Sequence, residues 1–128
     1  MFLSFKSQEE RRKYGGSCFV ELQYCRLPSK TPLKNIVDVS SIENWKDDSL
    51  YVNDENGFYE AYSPFFTEGV YNNLQSGVVD VYGINYYDPA LTERIVQHLL
   101  SEKPEDYSRL VAWLGKAKFY NGFYILGI

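Results

Sequence analysis

The chain has 128 residues, a formal net charge of −4 and a pI near 5.0. That length fits one domain, and 45% hydrophobic with 23% charged residues excludes a disordered class. The low pI argues against nucleic-acid binding, which needs basic side chains to neutralise phosphates, and no apolar run is long enough for a secretory signal or a membrane span.

In chain order, residues 1–5 predict a short first strand and residues 7–16 a short helix. Ser7 and Glu10 have capping-box spacing, Glu9 and Glu10 occupy the first turn, Arg11 to Lys13 the last, and Gly15 and Gly16 stop it. Residues 17–27 alternate as a strand, with Cys18, Val20, Leu22 and Tyr24 on one face and Glu21 and Gln23 on the other. Cys18 and Cys25 on one intact strand stand roughly 23 Å apart, beyond the ~7 Å reach of a disulfide. Free thiols and no signal point to the cytoplasm. Residues 28–34 read as a loop and 35–41 as a short strand.

Residues 49–62 predict a hairpin: "SLYVN" and "GFYEAY" are strand-like, and residues 53–57 end in the glycine that tolerates positive φ. Residues 67–77 read as a loop, and 78–87 as a central strand carrying Asp80. Two helices follow. In the first, Asp88 caps, Pro89 opens, and Leu91, Ile95, Val96, Leu99 and Leu100 form the apolar stripe. The second opens at Pro104 and buries Tyr107, Leu110, Val111 and Leu114. "GFYILGI" closes the chain as a strand docked inside the sheet. The fold class is α+β: a single domain over residues 1–128, mostly antiparallel sheet, with two helices in the C-terminal half and a final strand.

Charge is unevenly placed. Residues 1–34 carry three acids and seven bases, residues 35–88 ten acids and only Lys46, and residues 89–128 four acids and five bases. The acidic middle block interleaves with Trp45, Tyr51, Tyr59 and Tyr62. It is either a solvated surface over an ordinary core or a recognition face for a basic protein, where like charges steer association and aromatic anchors hold it. The 12 tyrosines leave the same choice open, between interface residues and plain strand formers.

Catalytic patterns are thin. A Ser or Cys nucleophile wants a histidine base, and the chain's one histidine, His98, reads as a helix-flank residue. One histidine and two ill-placed cysteines supply no zinc set. No calcium-loop spacing or phosphate-binding glycine loop appears, so no cofactor or metal is expected. The acids keep carboxylate chemistry in play, with Asp80 and Glu60 as its candidates if they meet in one cleft.

The run "VYGINYYDP", two helices ending in "LVAWLGKA", then "GFYILGI" resembles segments of immunity proteins from bacterial contact-dependent growth inhibition and polymorphic-toxin systems. The resemblance covers about the last 50 residues, and its motifs are structural. It implies a cytoplasmic inhibitor that binds, one to one, the toxic C-terminal domain of a cognate effector. Such domains are often nucleases and therefore basic. The expected charged contacts are Asp47, Asp48, Asp54, Glu55 and Glu60, with Tyr51, Tyr59 and Tyr62 as anchors. The predicted hairpin edge offers a second mode, addition of a partner strand. A non-catalytic adaptor or complex subunit is the alternative reading, and a carboxylate-dependent enzyme the next.

Overall fold

The computed structural model describes residues 1–15 and 19–127. Its centre is a six-stranded antiparallel sheet, ordered β2-β1-β6-β5-β3-β4. The strands are β1 (Val20–Tyr24), β2 (Leu50–Val52), β3 (Gly69–Tyr71), β4 (Ser76–Gly77), β5 (Ile84–Tyr87) and β6 (Phe123–Leu126). The helices are α1 (Gln8–Gly15), α2 (Leu33–Ile36), α3 (Glu55–Tyr62), α4 (Pro89–Glu102) and α5 (Tyr107–Gly115). The expected α+β class is what forms, and the final strand lies between β1 and β5.

Strand alternation divides the core. Val20, Leu22, Leu50, Val52, Tyr87, Phe123 and Ile125 point to one face, where Phe58, Tyr62, Leu91, Ile95, Leu99, Leu110 and Leu114 of α3 to α5 cover them. The alternate residues Cys25, Tyr86, Tyr124 and Leu126 point to the other face and pack under Ile36 and Val37. Beside them Phe5, Phe19 and Tyr51 make a third cluster with Trp45. Both faces of the sheet are therefore covered, and the period-two pattern decides which covering each residue meets.

Several local expectations are overturned. The predicted hairpin is a strand followed by a helix. Asp54 accepts the Gly57 N–H at 3.0 Å as the cap of α3, and Phe58 and Tyr62, one turn apart, bury on the core side. A Cβ on Gly57 would stand 2.4 Å from an Asp54 carboxylate oxygen, so this glycine admits the cap rather than a hairpin turn. Residues 35–41 form no strand: α2 ends there, and Asp38 accepts from Ser40 N–H to cap a 3-10 turn, Val39–Ser41. The expected loop at 67–77 contains the β3–β4 hairpin, turning through Leu74 at φ +70°.

Only Ile84–Tyr87 of the expected 78–87 strand pairs, so Asp80 sits in a loop. Buried Asn85 shapes that loop, accepting from Asp80 N–H and donating to the Asp80 carbonyl, both at 2.8 Å. The first expected strand reduces to a bridge between Leu3 and Tyr51. In α4, Asp88 accepts from Leu91 N–H as expected, while Leu100 is exposed and leaves the stripe. In α5, which begins at Tyr107 rather than Pro104, Trp113 joins Leu110 and Leu114 in the core. Cys25 is a buried free thiol; Cys18 lies outside the described residues.

Six tyrosines are buried: Tyr24, Tyr51, Tyr62, Tyr86, Tyr87 and Tyr124. Five of the hydroxyls donate to backbone carbonyls, those of Trp113, Lys46, Glu105, Asn121 and Ile36 respectively. Each ring fills core while its tip fixes a connecting segment, so about half of the 12 tyrosines are architectural. Tyr87 is the exception, with a buried hydroxyl that has no partner among the described residues.

Candidate functional site

The eight residues expected to face a partner do not form one surface. Tyr51 and Tyr62 are core residues and are unavailable as anchors. Burial, the largest cause, raises both phenol pKa values above the ordinary 10.0, with a further push from Glu21 at Tyr51 and Asp106 at Tyr62. Both therefore stay protonated donors inside the fold. Asp54 is spent as the α3 cap.

Asp47 and Asp48 border an open groove of about 610 Å³ with Trp113, Lys116, Phe119 and Tyr120. Asp48 is ion-paired to Arg26, and its carbonyl accepts from Trp113 Nε1 at 2.8 Å. Arg26 lies 5.4 Å above the Tyr120 ring, Tyr120 stacks on Tyr24 at 4.6 Å, and Tyr24 stacks on Trp113 at 4.1 Å. This ladder ties α5 to β1. It makes Asp48 a structural partner, and the groove carries both charge signs.

A second groove, of about 540 Å³, takes in Tyr59. It runs between α3 and the 78–82 loop, lined by Asn56, Tyr59, Tyr71, Val79, Asp80 and Tyr82 among others. Tyr59, Val78 and Tyr82 are 45%, 42% and 66% exposed, a concentration of apolar surface that a protein rarely leaves open without use. Asp80 contributes a carboxylate; it accepts from Tyr82 N–H at 2.9 Å, which orders the tip of the loop. Glu55 and Glu60 stand on the same short helix as Tyr59, Glu60 fully on its exposed side. Among the described residues no lysine or arginine lines this groove.

Of the expected contacts, then, Tyr59 alone lines this groove, and Glu55 and Glu60 share its helix without lining it. Tyr71 was not foreseen because residues 67–77 read as a loop, and Val78 and Tyr82 because residues 78–87 read as a central strand. The signal that would have found them was Asp80-Val81-Tyr82-Gly83, whose Asp and Gly suit a turn better than a central strand. Asp80 and Glu60 do not share this groove's wall, since Glu60 is outside the lining.

No family model, curated protein or solved structure matches the chain. Among the described residues no helix is long and apolar enough to cross a membrane.

One further polar centre was missed by sequence reasoning. Glu21, on β1, is buried on the face opposite the helices. Its carboxylate accepts from Trp45 N–H at 2.6 Å, Lys46 N–H at 3.0 Å, Ser49 Oγ at 2.7 Å and Gln23 Nε2 at 3.0 Å. A buried carboxylate so supplied with donors acts as a clasp for the 43–49 segment.

Proposed function

We propose that the chain is an immunity protein: a non-catalytic cytoplasmic inhibitor that binds, one to one, the basic toxic C-terminal domain of a cognate bacterial contact-dependent inhibition effector. The toxic domain is proposed to be a nuclease, whose phosphate-binding surface supplies the positive charge. The observation that carries this reading is the groove between α3 and the 78–82 loop, where exposed Tyr59, Val78 and Tyr82 line one wall with Asp80 and, among the described residues, no base; Glu55 and Glu60 lie outside the lining, on the same helix as Tyr59. Aromatic side chains in such a setting supply affinity once water is expelled, while the carboxylates steer a basic partner and reject acidic ones.

Side-chain docking fits better than strand addition. The outer edge of β2 is partly taken, because Leu3 and Tyr51 exchange two backbone hydrogen bonds, at 2.8 and 2.9 Å. The opposite edge, β4, is two residues long. Short or covered edges present little template to a partner strand. A non-catalytic adaptor would use the same face, so the discriminating property is protection. Co-expression with the toxic domain encoded beside its gene should rescue bacterial growth, and Tyr59→Ala with Tyr82→Ala should lose the rescue at unchanged expression. Binding to some other basic protein, without rescue, would favour the adaptor.

A further inference from the structure

The groove between α3 and the 78–82 loop has a fixed frame and open side-chain tips. Val79 N–H donates to the Phe66 carbonyl at 2.8 Å, and the Tyr71 hydroxyl donates to the Val78 carbonyl. Buried Asn85 accepts from Asp80 N–H, donates to the Asp80 carbonyl and donates also to the Ile125 carbonyl, the last at 2.9 Å. The loop backbone is therefore set before any partner arrives, which lowers the ordering cost of binding.

Tyr59 of α3 and Tyr82 of the loop are exposed rings. Elsewhere the fold places its own bases over aromatic faces: Arg11 over Phe19 and Tyr51, Arg26 over Tyr120, and Lys118 over Phe119. Among the described residues no base lies over Tyr59 or Tyr82. Asp80, also exposed, is similarly unmatched. One of its carboxylate oxygens accepts from Tyr82 N–H at 2.9 Å, and the other stands over Gly83, where a Cβ would come within 2.7 Å of it. Among the described residues Asp80 forms no ion pair. A carboxylate offers about four acceptor positions, so most of its capacity is unspent.

We propose that this groove receives one arginine side chain of the basic partner, its guanidinium bonded to the Asp80 carboxylate and laid against the Tyr59 and Tyr82 rings. The proposal rests on the reading of this face as the docking surface for a basic domain. Arginine fits better than lysine, because a planar guanidinium stacks on a ring while its edge N–H groups bond a carboxylate. A lysine ammonium is a compact, strongly hydrated charge that does only one of these well. The arginine stem is apolar and suits the exposed Val78 beside the rings. The volume of about 540 Å³ lies within the roughly 300–1,000 Å³ of small-ligand sites, room enough for one long side chain.

The slot can be tested without the toxic domain. N-acetyl-arginine amide is titrated into protein carrying carbon-13-labelled tyrosine rings, with sodium chloride holding ionic strength constant. The Tyr59 and Tyr82 ring signals should shift saturably, with a dissociation constant in the millimolar range, while exposed Tyr14 of α1 stays in place. The corresponding lysine amide should bind about three-fold or more weakly, and the uncharged citrulline amide not measurably. Asp80→Asn keeps an acceptor for Tyr82 N–H but loses the charge, and should weaken arginine binding about five-fold or more. Shifts that do not saturate, equal binding of the citrulline amide, or unchanged affinity in Asp80→Asn would overturn the proposal. Those results would leave the docking face standing if the toxic domain still bound. Saturable arginine binding without any complex with the toxic domain would keep the slot and remove the immunity reading.

Discussion

Removing the Glu21 carboxylate should release the 43–49 segment and cost a large part of the fold's stability. In Glu21→Ala, Lys46 N–H keeps the Tyr51 hydroxyl at 3.1 Å and Gln23 Nε2 keeps the Glu43 carbonyl at 2.6 Å. Trp45 N–H and Ser49 Oγ have no such second acceptor and are orphaned. At about 1–3 kcal/mol for each of the two buried orphans, the loss is about 2–6 kcal/mol, with the lost side-chain packing added to it. Against a typical total of about 5–15 kcal/mol this should lower Tm by roughly 10–20 °C. Glu21→Gln retains the shape and one acceptor oxygen, so it should lose roughly half as much. Urea denaturation followed by tryptophan fluorescence gives both values, and hydrogen exchange should show the Trp45 amide, left without an acceptor, losing protection first. If both variants stay within about 0.5 kcal/mol of the parent, the carboxylate is not the clasp described.

Tyr87→Phe should stabilise the protein by about 1 kcal/mol, because it deletes a buried hydroxyl that has no partner among the described residues; a drop in Tm on chemical or thermal unfolding would contradict this. Asp54→Ala should destabilise by about 1 kcal/mol through loss of the α3 cap, seen as reduced amide protection across Glu55–Tyr62. Alkaline pH should weaken the fold cooperatively. The six buried tyrosines have folded-state pKa values raised above the ordinary 10.0, chiefly by burial. A raised folded pKa gives stability that is complete below the unfolded value and declines above it, so the fall begins as pH passes 10.0. Phenolate absorbance from these residues should appear together with loss of helical signal, and ionisation ahead of unfolding would count against the burial described.

What was legible in the sequence was mostly periodic. Val20-Leu22-Tyr24 against Glu21-Gln23 gave the two faces of β1, Asp88-Pro89 marked the start of α4, and the apolar run 123–126 marked a strand that sits between two neighbours. Short elements were harder, because a few residues satisfy two periods at once. Residues 58–62 alternate like a strand yet also place Phe58 and Tyr62 one helical turn apart, and the Asp54 cap decides between them. The acidic face was visible as composition, but not its aromatic members. Tyr51 and Tyr59 look alike in sequence; one tip meets the Lys46 carbonyl inside the fold and the other projects from α3. Glu21 was read correctly as opposite the core stripe, but what covers it comes from residues 43–49, far along the chain, and no local pattern reveals that.

The central claim is that the face between α3 and the 78–82 loop docks a basic toxic domain. The most direct measurement is calorimetric binding of the purified protein to the toxic domain encoded beside its gene, at low and high salt. Parent protein is compared with Glu55→Lys/Glu60→Lys and with Tyr59→Ala/Tyr82→Ala; Asp54 is left intact so that the α3 cap survives. The account predicts a one-to-one complex that weakens with salt, loses affinity and most of that salt dependence in the charge-reversed variant, and loses affinity at both salts in the tyrosine variant. Tight binding that neither variant changes would place the interface elsewhere, and no binding at any salt would contradict the immunity reading itself.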